Sequence, residues 1–266
     1  IILDADQVDG CSPVTVKAYL KIDESIEDRR HKLEEGLWYL HQIWPVIPEP
    51  TYQTIADQDW TAGWKDSIPV LSIGQRVVIK PSWRNYVACG EQVVLELDPG
   101  LAFGSGLHPT TQLCIEAVDA YVKPGMRVLD LGTGTGILAL CAAKLGADRV
   151  TAVDTDADAV TAALRNIQHN NAHDCIDVLL GSLSDVKDTY DLVLANILAP
   201  TIISLVESDL AARVRPDGLV VVSGILIEQI DDVKAVMDSH GLVVTGSQQK
   251  EDWAAIFARL KPPIPA

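Results

Sequence analysis

Beyond residue 126 the chain alternates between short apolar runs and segments whose apolar positions recur every third or fourth residue. VLDL at 128–131, RVTAVD at 149–154 and DLVLAN at 191–196 have the length and branched-residue content of strands buried on both faces. The pattern predicts helices over 137–145, 156–170, 199–213 and 226–239. It predicts strands over 128–131, 149–153, 176–180, 191–195, 219–223, 242–248 and 254–260. Alternation of this kind gives an α/β fold: a doubly wound, mostly parallel seven-stranded sheet with helices on both faces.

The first part of the chain reads differently. VTVKAYLKI at 14–22 alternates apolar and polar residues as a half-buried strand does, and 25–41 has a helical period with Ser25 placed to cap it. After the proline-rich IPEP, TYQTIAD from residue 51 reads as another strand, so residues 1–57 form a small α+β domain. Residues 58–90 read as a linker and hairpin, with RVVIK following a turn at Gly74. Their tryptophans, Trp60, Trp64 and Trp83, are assigned to packing. Residues 91–266 form the large domain, which opens with a strand at 92–100. The loop LAFGSGLHPTT follows, and its Pro109 starts a helix running to Tyr121.

Composition narrows the partners. A formal charge of −16 and a pI near 4.6 oppose binding to a nucleic-acid backbone, which requires clustered Lys and Arg. A basic protein is the better match. Residues 1–57 share the bias, with 11 acidic against 5 basic side chains. The cysteines (Cys11, Cys89, Cys114, Cys141, Cys175) are scattered and never spaced as C-x-x-C, so a reducing cytoplasm is expected and neither disulfides nor a zinc site is encoded. His169 and His173 lack a third ligand nearby, so no metal is expected. No apolar run is long enough to span a membrane, and no leader is recognisable. The chain begins at Ile1 rather than methionine, which leaves room for a preceding piece. A monomer is expected.

The chemistry centres on VLDLGTGTG at 128–136, an apolar strand running into a glycine-rich turn. A dinucleotide fingerprint G-x-G-x-x-G begun at Gly132 needs glycine at 137, where Ile137 stands, and no P-loop motif is present. Asp130, two residues before the first glycine, is badly placed for a pyrophosphate but tolerable beside a cationic cofactor without phosphate. S-adenosylmethionine, with its sulfonium and ammonium, is such a cofactor. Asp154 ends the next strand about twenty residues beyond the glycines, where an acid accepts hydrogen bonds from ribose hydroxyls. Asn196 ends a strand expected beside the glycine turn. The loop from Phe103 to Thr111, with Gly104 and Gly106, is expected to be a mobile lid, and His108 a hydrogen-bond donor that orders it.

LAFGSGLHPTT, VLDLGTGTGILAL, AVDTDADAV and ANILAP, in that order and with a late KEDW, resemble the ribosomal protein L11 methyltransferase family from about Trp60 to Leu260. The resemblance implies a class I S-adenosylmethionine-dependent fold. It also implies methylation of lysine side chains and an N-terminal amine on a basic large-subunit ribosomal protein. Thr111, Gly132, Asp154 and Asn196 match the family's cofactor-contacting positions. Phe103, Gly104, Asp130, Gly134 and Gly136 complete the expected cofactor site, and Asn196 is the expected catalytic residue. Ser105 stands where threonine is usual, and the N-terminal domain is shorter than the family's. Many methyltransferases acting on planar amines carry Asn-Pro-Pro-Tyr after this strand; Asn-Ile-Leu-Ala here removes the stacking ring and favours an aliphatic lysine amine. A lysine methyltransferase of another soluble protein and a non-catalytic cofactor-binding scaffold are the alternatives, the latter disfavoured by the intact loop, Asp154 and Asn196.

Overall fold

The computed structural model of the chain describes residues 26–43, 50–52, 69–97 and 103–261. The chain divides into two compact units, Ile1–Ala62 and Gly63–Ala266. In the first, helix α1 (Ile26–Ile43) covers the expected helical segment and carries an i,i+4 ion pair, Arg30 to Glu34, at 2.9 Å. Thr51 and Tyr52 have no regular structure. The expected strand at 14–22, the rest of TYQTIAD, and Trp60 and Trp64 lie outside the described residues.

The second unit begins with a small sheet. Strands β1 (Leu71–Ile73) and β2 (Val77–Lys80) form the expected hairpin around Gly74, and β3 (Val93–Glu96) pairs with β2 in parallel. Helix α2 (Pro109–Tyr121) follows the loop. Next come β4 (Arg127–Leu131), α3 (Ile137–Lys144), β5 (Arg149–Asp154), α4 (Ala157–His169), β6 (Ile176–Leu180) and β7 (Tyr190–Asn196). The chain continues through α5 (Ala199–Glu207), β8 (Val214–Leu226), α6 (Ile230–Ser239), β9 (Leu242–Lys250) and β10 (Trp253–Leu260). The large sheet has the order β6-β5-β4-β7-β8-β10-β9, with β10 antiparallel to both its neighbours and the other pairs parallel. This is the expected seven-stranded, mostly parallel sheet.

Its two faces bury separate cores. Val128, Leu192, Leu194 and Val221 face a cluster completed by α2, α3 and the small sheet; Leu129, Val193, Val220 and Val222 face one completed by α5 and α6. Both sets of side chains are close to fully buried, which is why these strands read as continuous apolar runs.

Two expected elements differ. The helix predicted over 199–213 ends at Glu207; Asp209 takes a left-handed conformation (φ 77°), and Leu210–Arg213 form a separate 3-10 turn. Ile202, Val206 and Leu210 are all buried at i,i+4 spacing, so the helical period runs through the break and conceals it. The helix predicted from 226 starts at Ile230, because Leu226 stays in β8 opposite Trp253 and Ile227–Gln229 form a 3-10 turn.

One ion pair, with a buried carboxylate and a half-buried guanidinium, ties the hairpin to α2. Asp119, 7% exposed, accepts hydrogen bonds from the Gln75 and Arg76 backbone N–H groups (2.6 and 3.1 Å) and from Arg76 Nε (2.8 Å). Burial alone would raise its pKa. The two amides and the guanidinium outweigh burial and hold it below the usual carboxylate range. We predict that Asp119→Ala costs roughly 1–3 kcal/mol, because it leaves the Gln75 and Arg76 backbone N–H groups without their acceptor. The native carboxylate's contribution should be fully present above its unfolded pKa of about 3.9 and be lost as pH falls through the lower folded value. Urea unfolding of both proteins between pH 7 and pH 2 measures this; a constant difference across that range would refute it.

Candidate active site

Strand parity places the candidate residues on one face. Side chains two apart share a face, so Asp130 goes with Val128, Asp154 with Val150 and Ala152, and Asn196 with Leu192 and Leu194. All three acid and amide positions therefore lie on the α2/α3 side. Asp130 is paired with Ala152 of β5 and Leu194 of β7. Two residues further on, Gly132 begins its turn between Asp154 and Asn196, at the carboxyl edge where such sheets bind ligands.

The turn uses its own donors. Gly132 and Thr133 donate their N–H groups to the Val153 carbonyl (2.8 and 3.0 Å), and Gly134 donates to Asp154 Oδ2 (2.8 Å). Thr135 donates to the Phe103 carbonyl (3.0 Å) and Gly136 to that of Thr133 (2.9 Å). A phosphate cradle needs such N–H groups free, and here each is engaged. What the site leaves open are acceptors. Among the described residues, Asp130 Oδ1 and Asn196 Oδ1 are buried side-chain oxygens without a hydrogen-bond partner.

Asp130 is 1% exposed. Its Oδ2 accepts from the Thr133 hydroxyl (2.6 Å) and from the Ala139 N–H in the first turn of α3 (3.2 Å). Burial dominates these bonds and lifts its pKa from 3.8 to about 6. Asp154 is half-buried, and its other oxygen accepts from the Asp156 N–H (3.0 Å), so the carboxylate is fixed but keeps lone pairs facing outward. Asn196 donates through Nδ2 to Thr111 Oγ1 at 3.3 Å, and Thr111 is fully buried. Gly136 begins α3 in a left-handed conformation that strains any side chain, and a Cβ there would press on Ala163 of α4 at 3.2 Å.

The loop is hooked onto the turn at two points. Thr135 N–H reaches the Phe103 carbonyl and its hydroxyl reaches the Gly104 carbonyl at 2.7 Å. A Cβ on Gly134 would collide with that Phe103 carbonyl. His108 caps α2 as an acceptor, not as the expected donor: its Nδ1 accepts the Thr110 N–H at 3.3 Å. The first-turn amides of a helix lack partners, so a cap must supply a lone pair. The ring is also set edge-on between Phe103 (5.5 Å) and Trp253 (4.9 Å). Burial lowers its pKa against the opposing pull of Glu251.

The reading of the sequence missed the supports. Thr133 and Thr135 are the turn's two spacers and are almost fully buried. Asn166 Nδ2 donates to the Thr135 carbonyl (2.8 Å), and Asn170 binds both backbone groups of Glu96 and the Asn166 carbonyl. The signal was the pair of asparagines at i,i+4 on α4, an unusual polar choice for a face that also carries Ala163 and Ile167. Cys114 and Cys141 are core residues; burial pushes the Cys114 thiol to about 12 and Cys141 further up, so neither serves as a nucleophile.

A family model described as ribosomal protein L11 methyltransferase (PrmA) matches residues 3–261, further toward the N-terminus than the motifs alone reach. The chain is 40% identical over 278 residues to the ribosomal protein L11 methyltransferase of Chloroflexus aurantiacus, covering 95% of this chain and 84% of that protein. It is 41% identical to the protein of that name from Herpetosiphon aurantiacus, covering 96% and 85%. The crystal structure of ribosomal protein L11 methylase from Lactobacillus delbrueckii subsp. bulgaricus superposes with a TM-score of 0.67 at 33% identity, covering 72% of this chain and 98% of that one. A methyltransferase from Pyrococcus furiosus, at 20% identity and TM-score 0.51, shares the fold.

The buried acid makes a prediction about stability. Its folded pKa lies above the unfolded value, so the unfolded chain releases the proton first, and stability falls as pH rises from 3.8 through about 6. At 1.36 kcal/mol per unit, a shift of this size is worth roughly 3 kcal/mol. Asp130→Asn should flatten that part of the stability profile, as measured by urea unfolding at closely spaced pH values from 4 to 7. Equal slopes in the two proteins would show that Asp130 carries no such strain.

Proposed function

The chain belongs to the ribosomal protein L11 methyltransferase family, and from that premise we propose that it moves methyl groups from S-adenosylmethionine to amino groups of ribosomal protein L11, lysine side chains and the N-terminal amine among them. The observation that carries the reading is the set of unpartnered acceptors around a turn with no free N–H. Such a site suits a ligand that brings positive charge and donors, and it repels phosphate. In this reading Asp154 holds the ribose hydroxyls of the cofactor, Asp130 counters its cationic end, and Gly132 and Gly134 allow close backbone approach. Phe103 and Gly104 close over it, Gly136 shapes the start of α3, and Thr111 holds Asn196. No described helix is long and apolar enough to cross a membrane, and the net charge suits a basic protein partner in the cytoplasm. Residues 1–57 are proposed as the docking domain, their acidic balance matched to that partner.

When bound, the cofactor supplies an electrophilic methyl on a sulfonium, and the protein's task is to present a neutral amine in line with it. A lysine of pKa about 10.4 costs roughly 4.6 kcal/mol to deprotonate at pH 7. Ile197, next in the chain after Asn196 and packed over Gly132, keeps the amine in an apolar, partly dry setting that lowers its pKa. Asn196 is held by Thr111 through its nitrogen, and its oxygen accepts an amine N–H. That bond aims the lone pair without the negative charge that would favour the ammonium. The proton leaves to solvent, because Asp130 is enclosed between β4 and the first turn of α3 and Asp154 is held by the amides of Gly134 and Asp156.

Three measurements test the reading. Purified L11 incubated with the protein and methyl-labelled S-adenosylmethionine should acquire label on amino groups; label on another lysate protein but not on L11 would transfer the assignment to that protein. Asp154→Asn should weaken cofactor binding by about tenfold or more, the loss of a charge-assisted bond. Unchanged calorimetric affinity would remove Asp154 from the ribose site. Asn196→Ala should lower kcat by roughly ten- to a thousand-fold with little change in cofactor affinity. Asn196→Asp should also be impaired, by a margin that shrinks as pH rises toward the lysine pKa; a pH-independent deficit would make Asn196 a strand-end cap only.

A further inference from the structure

The rim of the proposed site is unusually apolar for an acidic chain. Phe103 is 56% exposed, Leu198 67% and Ile227 40%. They come from three segments that the fold brings to the same edge. Phe103 sits over Gly134 and stacks edge-on against His108, which in turn meets Trp253. Trp253 is paired with Leu226, and Ile227 donates its N–H to the Asp252 carbonyl at 3.1 Å. On the other side, Ile197 donates to the Ser223 carbonyl (3.1 Å), and its own carbonyl lies against Gly224, which places Leu198 beside the end of β8. The row Phe103, His108, Trp253, Ile227 and the exposed Leu198 thus meet at the carboxyl end of β8, next to Asn196, whose strand partner is Ser223. The exposed acids Glu228, Glu251 and Asp252 lie in the same stretch, and Glu251 is close enough to His108 to act on its charge.

We propose that this rim is the seat of the acceptor segment: an extended stretch of the basic protein substrate whose apolar side chains flank the target lysine. The inference rests on the methyltransferase reading above and adds the surface by which that site selects its substrate. Apolar side chains scattered singly on a surface are ordinary, whereas apolar groups gathered at one edge and rimmed by charges mark an interaction site. The occupant must be apolar where it meets Leu198, Ile227 and the aromatic row, and positive where it meets Glu228 and Glu251. A lysine-bearing segment of a basic protein has both properties, and its lysine stem is itself apolar up to the ammonium. Asn196 lies in register with Ser223 of β8, and Ile227 follows the end of that strand, so a segment seated on the rim brings its lysine toward the unpartnered Asn196 amide oxygen.

The test uses the full chain with the double variant Leu198→Ser/Ile227→Ser. Ser is a favoured cap at Leu198, which precedes α5, so the helix start is preserved. KM for the protein substrate should rise about tenfold or more, with cofactor affinity unchanged by calorimetry. A second variant, Glu228→Lys, should raise KM at low salt and converge on the parent at high salt, because the repulsion it introduces is screened. Unchanged KM in both variants, with the parent active, would overturn the proposal and leave the methyltransferase reading intact. No methyl transfer to any basic protein by the parent would instead remove that reading and this one with it. A concentration-dependent dimer that the double variant abolishes, with KM unaltered, would assign the face to a second copy of the chain and overturn the proposal.

Discussion

A buried carboxylate without a cation organises the active edge of this protein. Asp130 sits between the central strand and the first turn of α3, and only the Thr133 hydroxyl and the Ala139 amide answer it. An isolated ionised carboxylate in such a place is costly, and the raised pKa of about 6 expresses that cost. The surrounding sheet can carry it because its two faces are packed with side chains close to fully buried. The same edge directs its turn amides inward, to Val153, Asp154, Phe103 and Thr133, so that none of the amides from Gly132 to Gly136 is left for an anion. The result is an edge that presents acceptors and a carboxylate rather than donors, which is the arrangement the proposed cationic cofactor calls for.

Much of this was legible in the sequence because it is local. The three positions Asp130, Asp154 and Asn196 could be read as strand-end and turn residues from the sequence, whereas their sharing one face follows only from the pairing of β4 with β5 and β7. The glycine spacing excluded a dinucleotide turn for a reason the structure makes concrete: Gly136 packs beneath α4 against Ala163, and Ile137, in the position a third fingerprint glycine would occupy, is 2% exposed in the core. What the sequence concealed depends on contacts between distant segments. Thr135 reads as a spacer between glycines, yet it joins the turn to the loop 31 residues earlier. Asn170 reads as a helix end, and it ties α4 to β3 across 74 residues. The break at Asp209 was hidden for the opposite reason, since the buried period on either side of it is unbroken.

The loop illustrates how a local reading can be right about place and incomplete about chemistry. His108 was recognised as a residue that orders the loop, and it does so by lending a lone pair to the helix and a ring face to Phe103 and Trp253. Neither role needs protonation. Burial depresses the ring's pKa, and the neutral tautomer with a free Nδ1 lone pair is the one that can cap. The loop is thereby fastened at both ends, at Thr135 and at the start of α2, with Gly104 and Gly106 supplying left-handed backbone between them.

An acidic protein that must methylate a lysine faces a conflict. Negative potential attracts a basic substrate, but near the acceptor nitrogen it stabilises the ammonium, which has no lone pair to give. The fold separates the two demands by position. Asp130 is enclosed beneath α3, and Asp154 is held by the amides of Gly134 and Asp156 one strand away. The group that closes the neighbouring strand, Asn196, is neutral, and the residue after it is aliphatic. Glu228 and Glu251 stand on the exposed rim, where water screens them from the interior. On the proposed reading, charge acts where the substrate is gathered and where the cofactor is countered, and it is absent where the nitrogen has to lose its proton.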